Sequence, residues 1–158
     1  MSVHLEENIF YDGRIRMPYK WAVGKTGSFF LTQLRDHARI WGSRCPDCEM
    51  VFMPPRKNCP RCLVTDTTWV ELPPRGVLET FTVVHFSEPS LQPMKPPYIY
   101  GIVKLDGADT GLTHLVNEIE PDSLWPGMRM EAVFKKANQR RGEITDLLYF
   151  RPEGGARQ

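Results

Sequence analysis

Between Cys45 and Cys62 the chain reads CPDCEMVFMPPRKNCPRC, and these eighteen residues hold all four of its cysteines. They fall into two C-P-x-C pairs, Cys45/Cys48 and Cys59/Cys62, with ten residues between them. A pair at this spacing folds into a knuckle that turns both sulfurs toward one point. Two facing knuckles make a tetrahedral S4 site that suits Zn2+, an ion without ligand-field preference. Sulfur in all four positions leaves no opening for water, so the expected metal is structural. Iron in a rubredoxin-like site is the chemical rival, since the knuckle geometry is the same. Rubredoxin knuckles normally carry glycine after the second cysteine; here Glu49 and Leu63 stand there, which favours zinc. The intervening EMVFMPPRKN is long enough for one β-hairpin, the shape of a zinc ribbon.

Working outward, residues 1–27 show no sustained period and carry Phe10, Tyr11, Tyr19 and Trp21; they read as an extended arm that lies on its own domain or on a partner. From Ser28 to Gly42, Phe30, Leu34, His37 and Trp41 recur at steps of three and four. This predicts an amphipathic helix capped by Ser28 and ended by Gly42. Residues 43–74 form the ribbon, which Pro73-Pro74 closes. Beyond it, five segments have strand character: 77–86, 98–106, 111–116, 128–135 and 144–150. Their turn spacing predicts a small β-barrel or sandwich over 75–151. The tail 152–158, PEGGARQ, reads as disordered.

Composition sets the outer bounds. Twenty Lys+Arg against nineteen Asp+Glu give a formal charge of +1, with 41% hydrophobic residues. That balance fits a folded domain and argues against a nucleic-acid binder working by phosphate neutralisation. No run is apolar enough to span a membrane. MSVHLEENIF lacks the basic start and apolar core of a secretory signal, which directs expectation to the cytoplasm, where disulfides are rare.

Taken in order, the helix, C-x2-C, Phe52-x-Pro54-Pro55-Arg56, Cys59-Pro60-x-Cys62, then Gly76, Thr80-Phe81-Thr82, Val84-His85, Pro97-Tyr98 and Gly101-Ile102-Val103 resemble the zinc-ribbon plus OB-fold proteins associated with acyl-CoA metabolism. The resemblance covers about residues 28–150. It implies a mainly β fold: an N-terminal helix, a rubredoxin-like zinc ribbon and a five-stranded OB-fold barrel. It also implies a partner protein rather than a free-standing enzyme. Family members accompany thiolases, thiolase-like aldolases and hydroxymethylglutaryl-CoA synthase systems; among them are the small subunit of benzoylsuccinyl-CoA thiolase and partners of steroid side-chain aldolases. The missing post-knuckle glycines depart from the pattern. The short connector EPDSLWPG departs from many nucleic-acid-binding OB-folds, where a longer helix lies.

If the cysteines hold metal, no nucleophilic thiol remains. Of His4, His37, His85 and His114, none stands in a recognisable triad order. His85, near Glu88, is the best acid/base candidate and defines one alternative, a small acyl-CoA enzyme; a stand-alone OB-fold nucleic-acid binder is the other. The favoured expectation is a non-catalytic accessory subunit in a hetero-oligomer with a thiolase-fold catalytic subunit, with acyl-CoA as shared ligand. Met94, Lys95, Tyr98 and Tyr100 are candidates to wall a channel for the pantetheine arm. Lys135, Lys136, Arg140 and Arg141 are candidates to meet phosphates, with a solvated hairpin tip as the competing explanation. Phe30, Leu34, His37 and Trp41 are candidates for the partner interface.

Overall fold

The computed structural model describes residues 18–86 and 94–154. Most of the expected arm, part of the loop after the first barrel strand together with Glu88, and the end of the tail lie outside the described residues.

The three-four spacing does produce a helix, but α1 spans Gly24–His37 rather than 28–42. Ser28 lies inside it, and Val23 precedes it without a side-chain cap. It ends where Ala38 enters the left-handed region at φ 52°. The N–H groups of Ala38 and Arg39 then return to the carbonyls of Leu34 and Gln33, at 3.2 and 3.3 Å, satisfying the last turn. Gly42 ends nothing. It sits with Trp41 in strand β1, Ile40–Arg44, where ladder bonds replace helical ones. Phe30 and Leu34 are buried in the chain's own core, 6% and 0% exposed. The expectation that they face a partner is therefore corrected: the helix's apolar stripe is already covered.

In the ribbon, β1 lies between β2, Val51–Phe52, and β3, Thr68–Leu72. The hairpin is thus built around the first knuckle, pairing Ser43 with Phe52 and Arg44 with Val51, and not between the two knuckles. The knuckle itself reverses the chain, leaving the residues on either side of it to pair.

Strands β4 (Arg75–Val84), β5 (Tyr98–Leu105), β6 (Leu112–Val116), β7 (Arg129–Phe134) and β8 (Leu147–Pro152) close into a barrel in the order β4-β5-β6-β8-β7. Only the β6–β8 contact is parallel, and this is the topology of an OB-fold. Along β5, Ile99, Gly101, Val103 and Leu105 are buried while Tyr100 and Lys104 are exposed, as the two-residue period requires. A bulge between Leu78 and Thr80 shifts the β4–β5 register. Gly76 is needed where these strands cross: a Cβ there would lie 2.1 Å from the Lys104 carbonyl oxygen. The β6–β7 connector holds a single 3-10 turn, Pro121–Ser123. The start of the tail is not disordered. Pro152 pairs with Met130, the Glu153 N–H donates to Arg129 O, and the Glu153 carboxylate accepts from Arg75 and Arg129.

Helix, ribbon and barrel share one core. Leu34, Ile40, Val51, Met53 and Leu72 meet Leu78, Val103, Leu105, Met130, Leu147 and Phe150 in a continuous cluster. Burying each such side chain contributes about 1.5–3 kcal/mol.

Candidate metal centre and ligand groove

The two knuckles are built alike. The Glu49 N–H donates to the Cys45 carbonyl and the Leu63 N–H to the Cys59 carbonyl, at 3.1 and 2.9 Å. The Cys45 N–H then donates to Met50 O and the Cys59 N–H to Val64 O, at 2.9 and 3.0 Å. Glu49 and Leu63, standing in place of glycine, both adopt positive φ, 60° and 61°. Cys45 and Cys59 are buried; Cys48 and Cys62 are half-buried.

All four sulfurs lie within 4.8 Å of one another, and Cys48 Sγ and Cys59 Sγ are 3.8 Å apart. A tetrahedral ion with Zn–S bonds of about 2.3 Å requires edges of about 3.8 Å, so the set fits. The electrostatics agree. Burial alone would raise the Cys59 thiol, but the Cys62 and Arg61 N–H groups, with the thiols of Cys45 and Cys48, bring it down to about 7. Cys62 is pushed up to about 12, first by Cys48 and then by burial. The neighbouring thiols thus ease the ionisation of one sulfur at the expense of another; a central cation is what would let all four ionise.

A second feature lies at the opposite end of the β5–β6 hairpin from the ribbon. A groove of about 470 Å³ is lined by Met94, Lys95, Pro97, Tyr98 and Ile99 on one side, and by Leu115, Ile119, Leu148 and Tyr149 among others. Three of the predicted channel residues, Met94, Lys95 and Tyr98, therefore come together. Tyr100 does not line this groove. It stands edge-on to Tyr98, ring centroids 5.5 Å apart, and lines a shallower depression with Thr80, Thr82 and Ile102. The rim residues Asn117, Glu120 and Tyr149 were not foreseen, having no spacing to mark them. The Tyr149 hydroxyl donates to Glu118 at 2.5 Å, and Glu118 also accepts from Arg151. These two bonds hold the Glu118 carboxyl below its usual range.

None of the predicted phosphate-binding cations lines the groove. Lys135 reaches Thr145 Oγ1 at 3.2 Å and lies 3.7 Å from Asp146. Arg140 donates to the Leu34 carbonyl at 3.2 Å, tying the β7–β8 hairpin to the end of α1. Lys136 and Arg141 point outward, exposed. At the hairpin's centre, fully buried Asp146 accepts the N–H groups of Arg141, Gly142 and Glu143 at 2.6–3.2 Å. Burial opposes its ionisation most strongly, yet these bonds and Lys135 together hold its pKa below the ordinary value.

The histidines separate equally clearly. His37 and His85 are exposed. His114 is buried and donates Nε2–H to Leu147 O at 2.7 Å, a packing role. Trp41 stacks edge-on with Phe29, whose ring also packs on Trp69 at 4.2 Å between centroids.

With this geometry in view, residues 32–68 match the ChsH2 rubredoxin-like zinc ribbon domain and residues 69–135 the ChsH2 C-terminal OB-fold domain. A DUF35 domain-containing scaffold protein of Methanocaldococcus jannaschii is 30% identical over 122 residues, spanning 75% of this chain and 85% of the relative. This chain belongs to the DUF35 family. A second DUF35 scaffold protein, from Methanothermobacter thermautotrophicus, is 27% identical over 117 residues, 72% of this chain and 86% of its own. Among solved structures, a chain of the Ltp2-ChsH2(DUF35) aldolase superposes with a TM-score of 0.63 at 26% identity. It covers 84% of this chain and 98% of that one. A DUF35 protein of unknown function from Sulfolobus solfataricus has the same fold, with TM-score 0.60, 17% identity, and coverage of 82% and 87%. The DUF35 match thus spans ribbon and barrel together, as the shared core requires.

Proposed function

We propose that this DUF35 chain is a non-catalytic accessory subunit of an acyl-CoA enzyme complex, bound to a thiolase-fold catalytic subunit in the cytoplasm. The observation that carries the reading is the similarity to a chain of the Ltp2-ChsH2(DUF35) aldolase over 98% of that chain. The scaffold naming of two further relatives supports it. In this reading the metal, zinc, fastens the ribbon, and the C–C bond chemistry belongs to the partner's residues. The groove beside Met94, Lys95 and Tyr98 is the part of this chain suited to a pantetheine arm: apolar walls with a few polar groups at the rim. Exposed His37 and half-buried Trp41 are the partner-facing residues left from the predicted set.

The test is co-expression with a thiolase-fold protein encoded beside this one. The two are expected to co-elute from size exclusion, and acyl-CoA turnover to fall sharply when this chain is omitted. A partner that is fully active and equally stable alone overturns the proposal. Within an intact complex, Met94→Glu is expected to raise the KM for acyl-CoA about tenfold, the effect of losing roughly 1.4 kcal/mol of binding; an unchanged KM removes the groove from the site.

A further inference from the structure

We infer that Asp109 and Thr110, in the loop between β5 and β6, join the metal centre to the barrel as one cooperative folding unit. On this inference the metal governs the order of barrel strands that it never touches. The connection is a double clasp. The Val51 N–H donates to Asp109 Oδ2 at 2.8 Å, and the Asp109 N–H returns to Val51 O at 2.9 Å. One step along, the Met53 N–H donates to Thr110 Oγ1 at 2.7 Å, and that hydroxyl donates to Met53 O at 2.9 Å. The barrel loop thus continues the ribbon's sheet with side-chain groups acting partly in place of a strand.

The ribbon half of the clasp depends on the first knuckle. Strand β2 is only two residues long and begins one residue after Met50, whose carbonyl closes the knuckle onto Cys45. So short a strand has little stability of its own. Yet Val51 and Met53 are 3% and 1% exposed, packed in the same core as Leu105 and Leu112 at the two ends of the clasping loop and Ala108 within it. A metal on the four sulfurs fixes the knuckle and so fixes β2. Without it, Val51 and Met53 lose their anchor, and the loop loses four hydrogen bonds and its apolar backing at once. Metal binding is then linked to barrel order through these contacts.

The experiment is hydrogen exchange read by mass spectrometry on the full chain, metal-loaded and after chelation. In wild type, chelation is expected to strip protection from the ribbon and, by at least about tenfold, from β5 and β6 as well. In the double variant Asp109→Ala/Thr110→Val, chelation should strip the ribbon and leave β5 and β6 protected. Asp109→Asn, which keeps an acceptor oxygen, should behave as wild type. The inference is overturned if metal-free wild type keeps full β5–β6 protection, or if the double variant loses it as completely as wild type. Should the double variant not fold, the wild-type comparison decides by the same criterion.

Discussion

At Leu63 the backbone is held at φ 61° although the residue carries a Cβ, and its side chain is 79% exposed. A non-glycine residue in this region costs about 1–2 kcal/mol, and glycine returns roughly 0.4–1 kcal/mol of that through its freer unfolded chain. Leu63→Gly is therefore expected to stabilise the metal-bound protein by about 0.5–1 kcal/mol, seen as a raised Tm. No change, or a fall, would mean that Leu63 packs against something in the assembly. His114 carries the pH prediction. Burial, outweighing its bond to Leu147, holds its pKa below the ordinary value. The folded chain consequently binds fewer protons than the unfolded one, so this contribution is complete above about pH 6.5 and is lost as pH falls below it. His114→Gln keeps a donor for the Leu147 carbonyl but cannot titrate. The gap between wild-type and variant urea midpoints should thus shift against wild type from pH 7.5 to 5.5, and a constant gap refutes the assignment.

At the scale of elements, two backbone junctions set the architecture. The Gly76 site, where β4 meets β5, admits no methyl group, because the obstruction is the Lys104 carbonyl and the Leu105 Cα rather than a movable side chain. Gly76→Ala should cost about 3 kcal/mol or more, at the upper end of overpacking penalties, measured by denaturant midpoint. The β7–β8 hairpin turns on Asp146. Asp146→Asn replaces one of two acceptor oxygens with a donor facing three backbone N–H groups, at a cost of about 2–4 kcal/mol. The same elements show what the sequence could convey. β-branched and aromatic runs between turn signals, with clear alternation in the fourth, placed the five barrel strands to within a few residues, and the cysteine spacing placed the knuckles. The end of α1 was not legible, because Phe30, Leu34 and Trp41 continue one helical spacing across a boundary set by Ala38 turning left-handed and Ile40 pairing with Leu72. Nor was the Asp109–Thr110 clasp legible, since its partners lie 57 and 58 residues away and no local pattern marks them. Of the site, the metal ligands were plain and the groove half visible, its other wall being supplied by β6 and β8.

For the whole molecule, a zinc ion on the four sulfurs would change the charge. The formal charge of +1 counts neutral cysteines. Four thiolates with one Zn2+ add −2 and bring the chain to −1, faintly acidic rather than basic. A phosphate-neutralising surface gains affinity from net positive charge and loses it steeply with salt, so a chain that becomes more negative on maturing is poorly suited to that work. The metal-bound form is expected to carry one zinc ion per chain by elemental analysis. Metal uptake at neutral pH should release about three to four protons per chain, read as base consumed in a weakly buffered titration, if all four sulfurs ionise. A red protein containing iron would keep the fold and replace the metal, since the knuckle geometry accepts either ion. A release clearly below about three protons would instead mean that one cysteine stays protonated.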